Sequence, residues 1–484
     1  MSDIPAAIPA PHPPEANSRR GGTLAWTLAI IGFLSVVVSQ HLVRPGEPAG
    51  GEKPTSALTP PAPDDPRTQS ARLLVKLGTL VKSMDPGAGA MLVGQGIEKT
   101  DDPIEQFQDA IVAGELAGPD AARKRLGEIN LDGPTWLDRP LNATERAQLE
   151  EHVASYRRIL DAQGAELTQA ARDDLAKAHG YYGRLALVHD KPAGDLDRAT
   201  LVEGGGTVVA FLIYVLSLMG VGVIGGLAAF VVMIVLLVGG KLRRHFQPPA
   251  PGESVYIETA ALFFLAFLAV QTIGQFILPR LHLGIGARLG TQWLLLLVPL
   301  WPLVRGVKFS AWREQIGWHA PRGVWREVGA GILAYFAALP LLFLAIAIAY
   351  IVLVVQAAMA GKHMTPPENP VHEIIGGASS GVLVLLFTLA VVWAPIVEES
   401  IFRGAIFRQL RARMGLLLAA GISAVAFGTM HAYPLPLLLP VITLGFTFAL
   451  TREWRGSLVA PMVGHFLHNA TLLTLAIMVF RITQ

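Results

Sequence analysis

The chain has 484 residues, 52% of them hydrophobic and only 16% charged, with a mean hydropathy of +0.46 and a formal net charge of +2. Such a composition is too apolar for an ordinary soluble enzyme and reads as a polytopic membrane protein, and nothing in the charge points to a nucleic-acid partner. The absence of cysteine excludes disulfides, thiolate metal sites and every cysteine nucleophile.

Residues 1–22 are rich in proline and small residues, carry Arg19 and Arg20, and precede an apolar run over 23–43. A run of about 20 apolar residues with no A-x-A pattern after it suits a membrane anchor rather than a signal peptide, leaving 1–22 as a cytoplasmic tail. Residues 44–68 are low in complexity and proline-rich, the composition of a semi-extended linker on the far side of the membrane. From 69 to 203 the sequence turns polar and helical. Leu149, Val153, Tyr156 and Leu160 fall on one stripe, and Asn142 with Glu145 spells a capping box. This is read as a small helical extracytoplasmic domain, for sensing or docking or simply as a solvated spacer, with nothing catalytic in it.

Eight further apolar runs follow, at 207–239, 256–279, 290–304, 327–356, 380–402, 416–431, 435–450 and 457–480. With the anchor they predict an all-α, polytopic membrane helix bundle of about nine spans, the extracytoplasmic domain being inserted after the first. The 207–239 run contains glycines that could hide a bend, and 290–304 is short for a span. An amino terminus in the cytoplasm puts KLRRH (241–245), the loop from Arg305 to Arg326, the group Arg403 to Arg413, and TREWR (451–455) on the inside. Four basic loops thus agree with one orientation in a multi-pass protein of the cell membrane.

Charge inside an apolar run demands a reason. In VVWAPIVEESIFRGAIFRQLRARMG (391–415), Glu398 and Glu399 follow Pro395, whose ring donates nothing to the helical ladder and leaves a carbonyl near residue 391 without its usual partner. Glu399 and Arg403 stand four apart and can neutralise each other, while Glu398 points about 100° away and stays available. A second motif, FGTMH, ends at His431. If the chain turns at 414–415, Glu398 and His431 lie about 16 residues from the turn on opposite arms, and so at one depth. The third, HFLHN, places His465 and Asn469 on one helix face. Taken singly, each histidine has a bland reading as a packed core residue or an interhelical clamp. The pair His372-Glu373 lacks the second histidine of a zincin motif and reads as loop.

E-E-x-x-x-R, F-x-x-x-H and H-x-x-x-N, in that order on successive membrane helices, resemble the CPBP family of intramembrane proteases, which includes the CAAX prenyl endopeptidases of the Rce1 type. The resemblance covers 256–484 at most. It implies an intramembrane endopeptidase in which Glu398 and His431 activate a water, Glu399 and Arg403 fix the helix, and His465 and Asn469 donate to the oxyanion. Peptide hydrolysis without serine or cysteine does need a base, a water and oxyanion donors. The metal alternative would use Glu398, His431 and His465 as Zn²⁺ ligands with water in the fourth position, and is the less favoured. A membrane-embedded or lipid-anchored protein or peptide is the expected substrate, with membrane lipids around it. A non-enzymatic scaffold or receptor, and a proton-coupled transporter, are the readings from other classes.

Overall fold

The computed structural model describes residues 16–41, 56–58, 65–85, 91, 100–137, 139–161, 167–192, 194–249, 253–359, 375 and 378–483. Among these every regular element is a helix and none is a strand. Residues 1–15 of the predicted tail, most of the 44–68 linker and the His372-Glu373 pair lie outside the described residues. The chain divides into two compact units. One comprises Met1–Gly46, Met219–Glu368 and Ala378–Thr474; the other comprises Glu47–Leu218, Asn369–Gly377 and Leu475–Gln484.

Among the described residues eight helices are long and apolar enough to cross a bilayer: Gly22–His41, Leu196–Val238, Val255–Ile277, Ile285–Val304, Val324–Met359, Ser380–Arg411, Leu435–Arg455 and Val459–Thr483. The chain is therefore a multi-pass membrane protein. The ninth expected span, at 416–431, is instead a helix of 14 residues, Leu416–Thr429. At about 1.5 Å per residue it reaches roughly 21 Å, short of the ~30 Å hydrocarbon layer. Gly415 starts it, and Pro434 and Pro436 prevent it from running into Leu438–Arg455, against which it packs.

The 290–304 run gains length in another way. Within Ile285–Val304 the nine residues Gln292–Leu300 form a 3₁₀ helix around Pro299. That helix rises about 2.0 Å per residue rather than 1.5 Å, which lengthens the crossing by roughly 4 Å. The 207–239 run is one uninterrupted helix, Gly205–Val238. Its glycines serve close packing: a Cβ on Gly226 would come within 3.2 Å of the Phe336 carbonyl and 3.1 Å of Leu339.

The amino-terminal anchor does not stand apart from the bundle. It packs along Val255–Thr272, with Phe33 5.5 Å from Phe264, and Ala25, Ala29 and Val36 join the core that holds Val397, Ile401 and Phe402. Several arginines counted above as topological signals are also spent inside this unit. Arg411 makes two bonds to Glu453 (3.0 and 2.9 Å), Arg455 makes two to the fully buried Glu327 (2.9 and 2.7 Å), and Arg452 donates to the carbonyls of Gln315 and Ile316 (3.2 Å each). Buried ions need such partners whichever way the chain is inserted, so these residues have a folding role independent of orientation.

The second unit is built of short helices, among them Pro103–Ala117, Ala143–Leu160, Gln169–His179 and Tyr181–Leu187, around Phe107, Leu149, Tyr156 and Leu175. Leu149, Tyr156 and Leu160 are buried and Val153 is half-buried, so the stripe faces the core. The capping box forms. Asn142 Oδ1 accepts from Glu145 N and Glu145 Oε2 from Asn142 N, each at 2.9 Å. Hydrogen bonds from Arg139, aided by those from the backbone amides of Asn142 and Ala57, outweigh burial and hold the Glu145 carboxyl at about 2.

Candidate active site

Proline shapes the helix that carries the acids. Around it the chain widens into π-helix over Leu389–Trp393, continues as α-helix over Ala394–Glu399, and widens again over Ser400–Ile406. Such insertions recur at functional sites because they re-aim side chains. In the first of them the Ala394 N–H is spent on the Leu389 carbonyl. Pro395 has no N–H to give, so the Ala390 carbonyl loses both of its local donors. The Asn469 side chain fills that gap, its Nδ2 donating to Ala390 O at 2.7 Å.

The two acids have unlike surroundings. Glu399 is fully buried, and its Oε1 accepts from Arg403 Nη1 at 3.0 Å and from His465 Nδ1 at 3.1 Å. Arg403, also fully buried, sends Nη2 to the Gly445 carbonyl at 2.9 Å and lies over the rings of Phe427 (4.4 Å), Phe448 (5.4 Å) and Phe402 (6.0 Å). Cation–π attraction adds to the ion pair where water is excluded. Glycine at 445 is required by this closeness, because a Cβ there would stand 3.2 Å from Arg403 Nη2 and 3.1 Å from Phe427.

Glu398 has no such lock. Its Oε2 is buried without a hydrogen-bond partner, while the side chain as a whole is 20% exposed. With Nδ1 on Glu399, the His465 ring turns Nε2 toward Glu398 Oε2, 3.8 Å away. His431 follows the last turn of Leu416–Thr429, and its Nδ1 meets the Phe427 carbonyl at 3.0 Å. A carbonyl can only accept, so Nδ1 carries the hydrogen and Nε2 is left as an acceptor in the neutral ring. Stacking on Tyr433 and an edge contact with Phe427 fix the ring plane, and Glu398 and His465 lie within electrostatic reach.

The structure thus brings Glu398, Glu399, Arg403, His431 and His465 around one point and ties Asn469 to the backbone beside it. Sequence reading missed Phe448, stacked on His465 at 5.5 Å, and Gly445 as the second partner of Arg403. It also missed Trp318, which donates to Ser400 Oγ at 2.8 Å. No local signal marks any of the three. Glu398, His431 and His465 are of kinds that suit Zn²⁺, but among the described residues no three His, Cys, Asp or Glu side chains are grouped closely enough to hold a metal ion.

Part of this multi-pass membrane protein is similar to known proteins. Residues 380–471, which contain all six motif residues, match the family described as type II CAAX prenyl endopeptidase Rce1-like. A protein of Bacillus subtilis (strain 168) named "Putative membrane peptidase YdiL" is 35% identical over 85 residues, 18% of this chain and 34% of that protein. The chain therefore spans about a third of the length of the curated relative it matches. No solved structure matches it.

Proposed function

We propose that the chain is an intramembrane endopeptidase of the CAAX-protease-like type, hydrolysing a peptide bond in a membrane-embedded or lipid-anchored substrate. The observation that carries this reading is the difference between the two acids: Glu399 is tied through Oε1 to Arg403 and His465, while Glu398 makes no hydrogen bond with a described residue and presents Oε2 beside His465 and within reach of His431. Glu398 Oε2 and His431 Nε2 are both acceptors. A water between them gives one hydrogen to each and keeps its lone pairs for the scissile carbonyl. Glu398 takes the proton as the C–O bond forms and returns it to the departing amine as the C–N bond breaks. The second N–H of Asn469 and the His465 side chain are the donors for the oxyanion.

The test compares new peptide termini in membranes from cells making the wild type or Glu398→Gln at matched levels. Termini found only with the wild type are expected. Identical termini, with both proteins folded and inserted, overturn the reading in favour of a scaffold. Cleavage in bilayers is further expected to depend on the substrate's apolar or lipid anchor, so equal cleavage of an unanchored soluble peptide removes the substrate class.

A further inference from the structure

In the helical unit a cavity of about 190 Å³ opens where Pro66–Met84, Tyr181–Leu187 and Leu196–Val202 meet the last turn before Thr483. Three cations, Arg72, Lys76 and Arg184, line it together with Tyr181, Thr200 and Thr483, and among the described residues no carboxylate does. None of the three cations is in an ion pair with a described residue.

Part of this charge has a structural use. Arg72 Nη1 donates to Thr483 O at 2.6 Å and Lys76 Nζ to Ile482 O at 2.9 Å, capping the negative end of the Val459–Thr483 helix. That employs one donor of the five on the arginine and one of the three on the lysine. Arg72 is only 8% exposed, its Nε is buried with no partner, and its guanidinium rests 5.0 Å from the Tyr181 ring centroid. Arg184, which makes no hydrogen bond with a described residue, adds a third charge that capping does not require. Burial pushes Arg72 below the usual arginine range, and the Arg184 charge works in the same direction against Tyr181. Burial, then Arg72, pushes Lys76 down in turn. Cations that repel one another in a half-dry space are relieved by an anion.

Position narrows the anion. The unbroken apolar run of the candidate span Val459–Thr483 ends at Phe480, before Arg481, and Thr483 on the cavity wall follows three residues later. A cavity just beyond the apolar end of a span lies at the level of lipid headgroups, where arginine forks and a lysine suit phosphate oxygens. We propose that this cavity binds a phosphate group, presented at the membrane surface by the headgroup of an anionic phospholipid.

The full-length protein, purified in a neutral detergent, is titrated with phosphatidylglycerol, phosphatidylcholine or inorganic phosphate while bound lipid is followed by native mass spectrometry and thermal unfolding. Lys76→Gln keeps a donor for the Ile482 carbonyl, and Arg184→Ala removes an exposed side chain, so both variants should fold. Retention of phosphatidylglycerol over phosphatidylcholine, weakened about fivefold by each variant, is the expected result. A response to inorganic phosphate equal to that to phosphatidylglycerol, and lost in the same variants, supports the phosphate site but assigns it a soluble ligand. Unchanged binding in both variants, or no response to any of the three additions, overturns the proposal. The latter outcome is what a cavity filled by the chain itself would give.

Discussion

Each unit buries the same three kinds of side chain in contact. In the membrane unit Glu399 holds Arg403 and His465; in the helical unit Glu115 holds Arg198, with the His189 ring 3.7 Å away. Burial alone would raise the Glu115 carboxyl, but His189, Arg198 and Lys82 outweigh it and hold it below the usual carboxylate range. A buried glutamate, arginine and histidine together are thus no signature of catalysis; they are one way of satisfying an ion away from water. What distinguishes the membrane trio is its neighbour. Glu398 stands one residue before Glu399, facing the same histidine with an oxygen that nothing bonds.

That comparison breaks most sharply at the two acids. Glu398→Gln is expected to abolish cleavage, a loss of about 10²–10⁴-fold or more for a general base, while leaving the unfolding temperature nearly unchanged. Glu115→Gln should do the reverse, lowering stability with cleavage intact. Parallel assays of proteolysis and thermal unfolding on the two variants check this; loss of activity in Glu115→Gln with full stability would erase the distinction.

The arginines come next. Arg403→Ala leaves Glu399 buried with only His465 beside it and removes the cation from three aromatic rings. A loss on the order of 3–5 kcal/mol is expected, enough to empty the membrane of folded protein. Arg198→Ala should be milder, because the arginine is 16% exposed and water can reach the site it leaves. Expression level and detergent-resistant folding report both.

Acid should loosen the helical unit. His179 is wholly buried, with Nε2 against His152 Nδ1 at 2.9 Å and Asp174 beyond, on His152 Nε2. Burial first, then the His152 charge, pushes it down to about 3. Since its folded pKa lies below the unfolded 6.5, its contribution is present in full above pH 6.5 and is lost as pH falls toward 3. The loss is at most on the order of 5 kcal/mol. Asp109, raised to about 6 by burial against the pull of Arg67, opposes part of this. The opening free energy from amide exchange over Ala143–Leu160, Gln169–His179 and Tyr181–Leu187 in the intact protein, corrected for the intrinsic pH dependence of exchange, should fall below pH 6.5, and His179→Leu should flatten the fall.

How much of this was legible in the sequence follows from the range of each contact. Glu399 with Arg403 and Asn142 with Glu145 are local pairs, readable from spacing, and both are bonded in the structure. Eight spans against about nine differ by one run whose composition suited a crossing but whose length between Gly415 and Pro434 did not. The second partner of Arg403 comes from 42 residues away and the partner of Ser400 from 82 residues away, set by how helices pack rather than by any periodicity. The arginines of TREWR misled in a different sense. They read as surface charge near a span, and the ions that bury them, Glu327 and the Gln315 and Ile316 carbonyls, lie more than a hundred positions earlier.

The smallest expected effect concerns Pro395 and Asn469, and it sharpens what holds Glu398 in place. Pro395→Ala supplies an N–H one helical turn below the Ala390 carbonyl, and Asn469→Ala removes the amide that now bonds it. Asn469→Ala alone leaves that carbonyl without a donor and should destabilise by about 1–3 kcal/mol. In the Pro395→Ala background the backbone can satisfy the carbonyl itself, and the same substitution should lose about 1 kcal/mol less, a positive coupling that a double-mutant cycle reads directly. Activity separates position from chemistry. If Asn469 acts only through the helix, the double variant should regain the cleavage lost in Asn469→Ala. If its second N–H also meets the oxyanion, stability should return without cleavage. Additive effects in both readouts would show that the proline and the amide are unconnected.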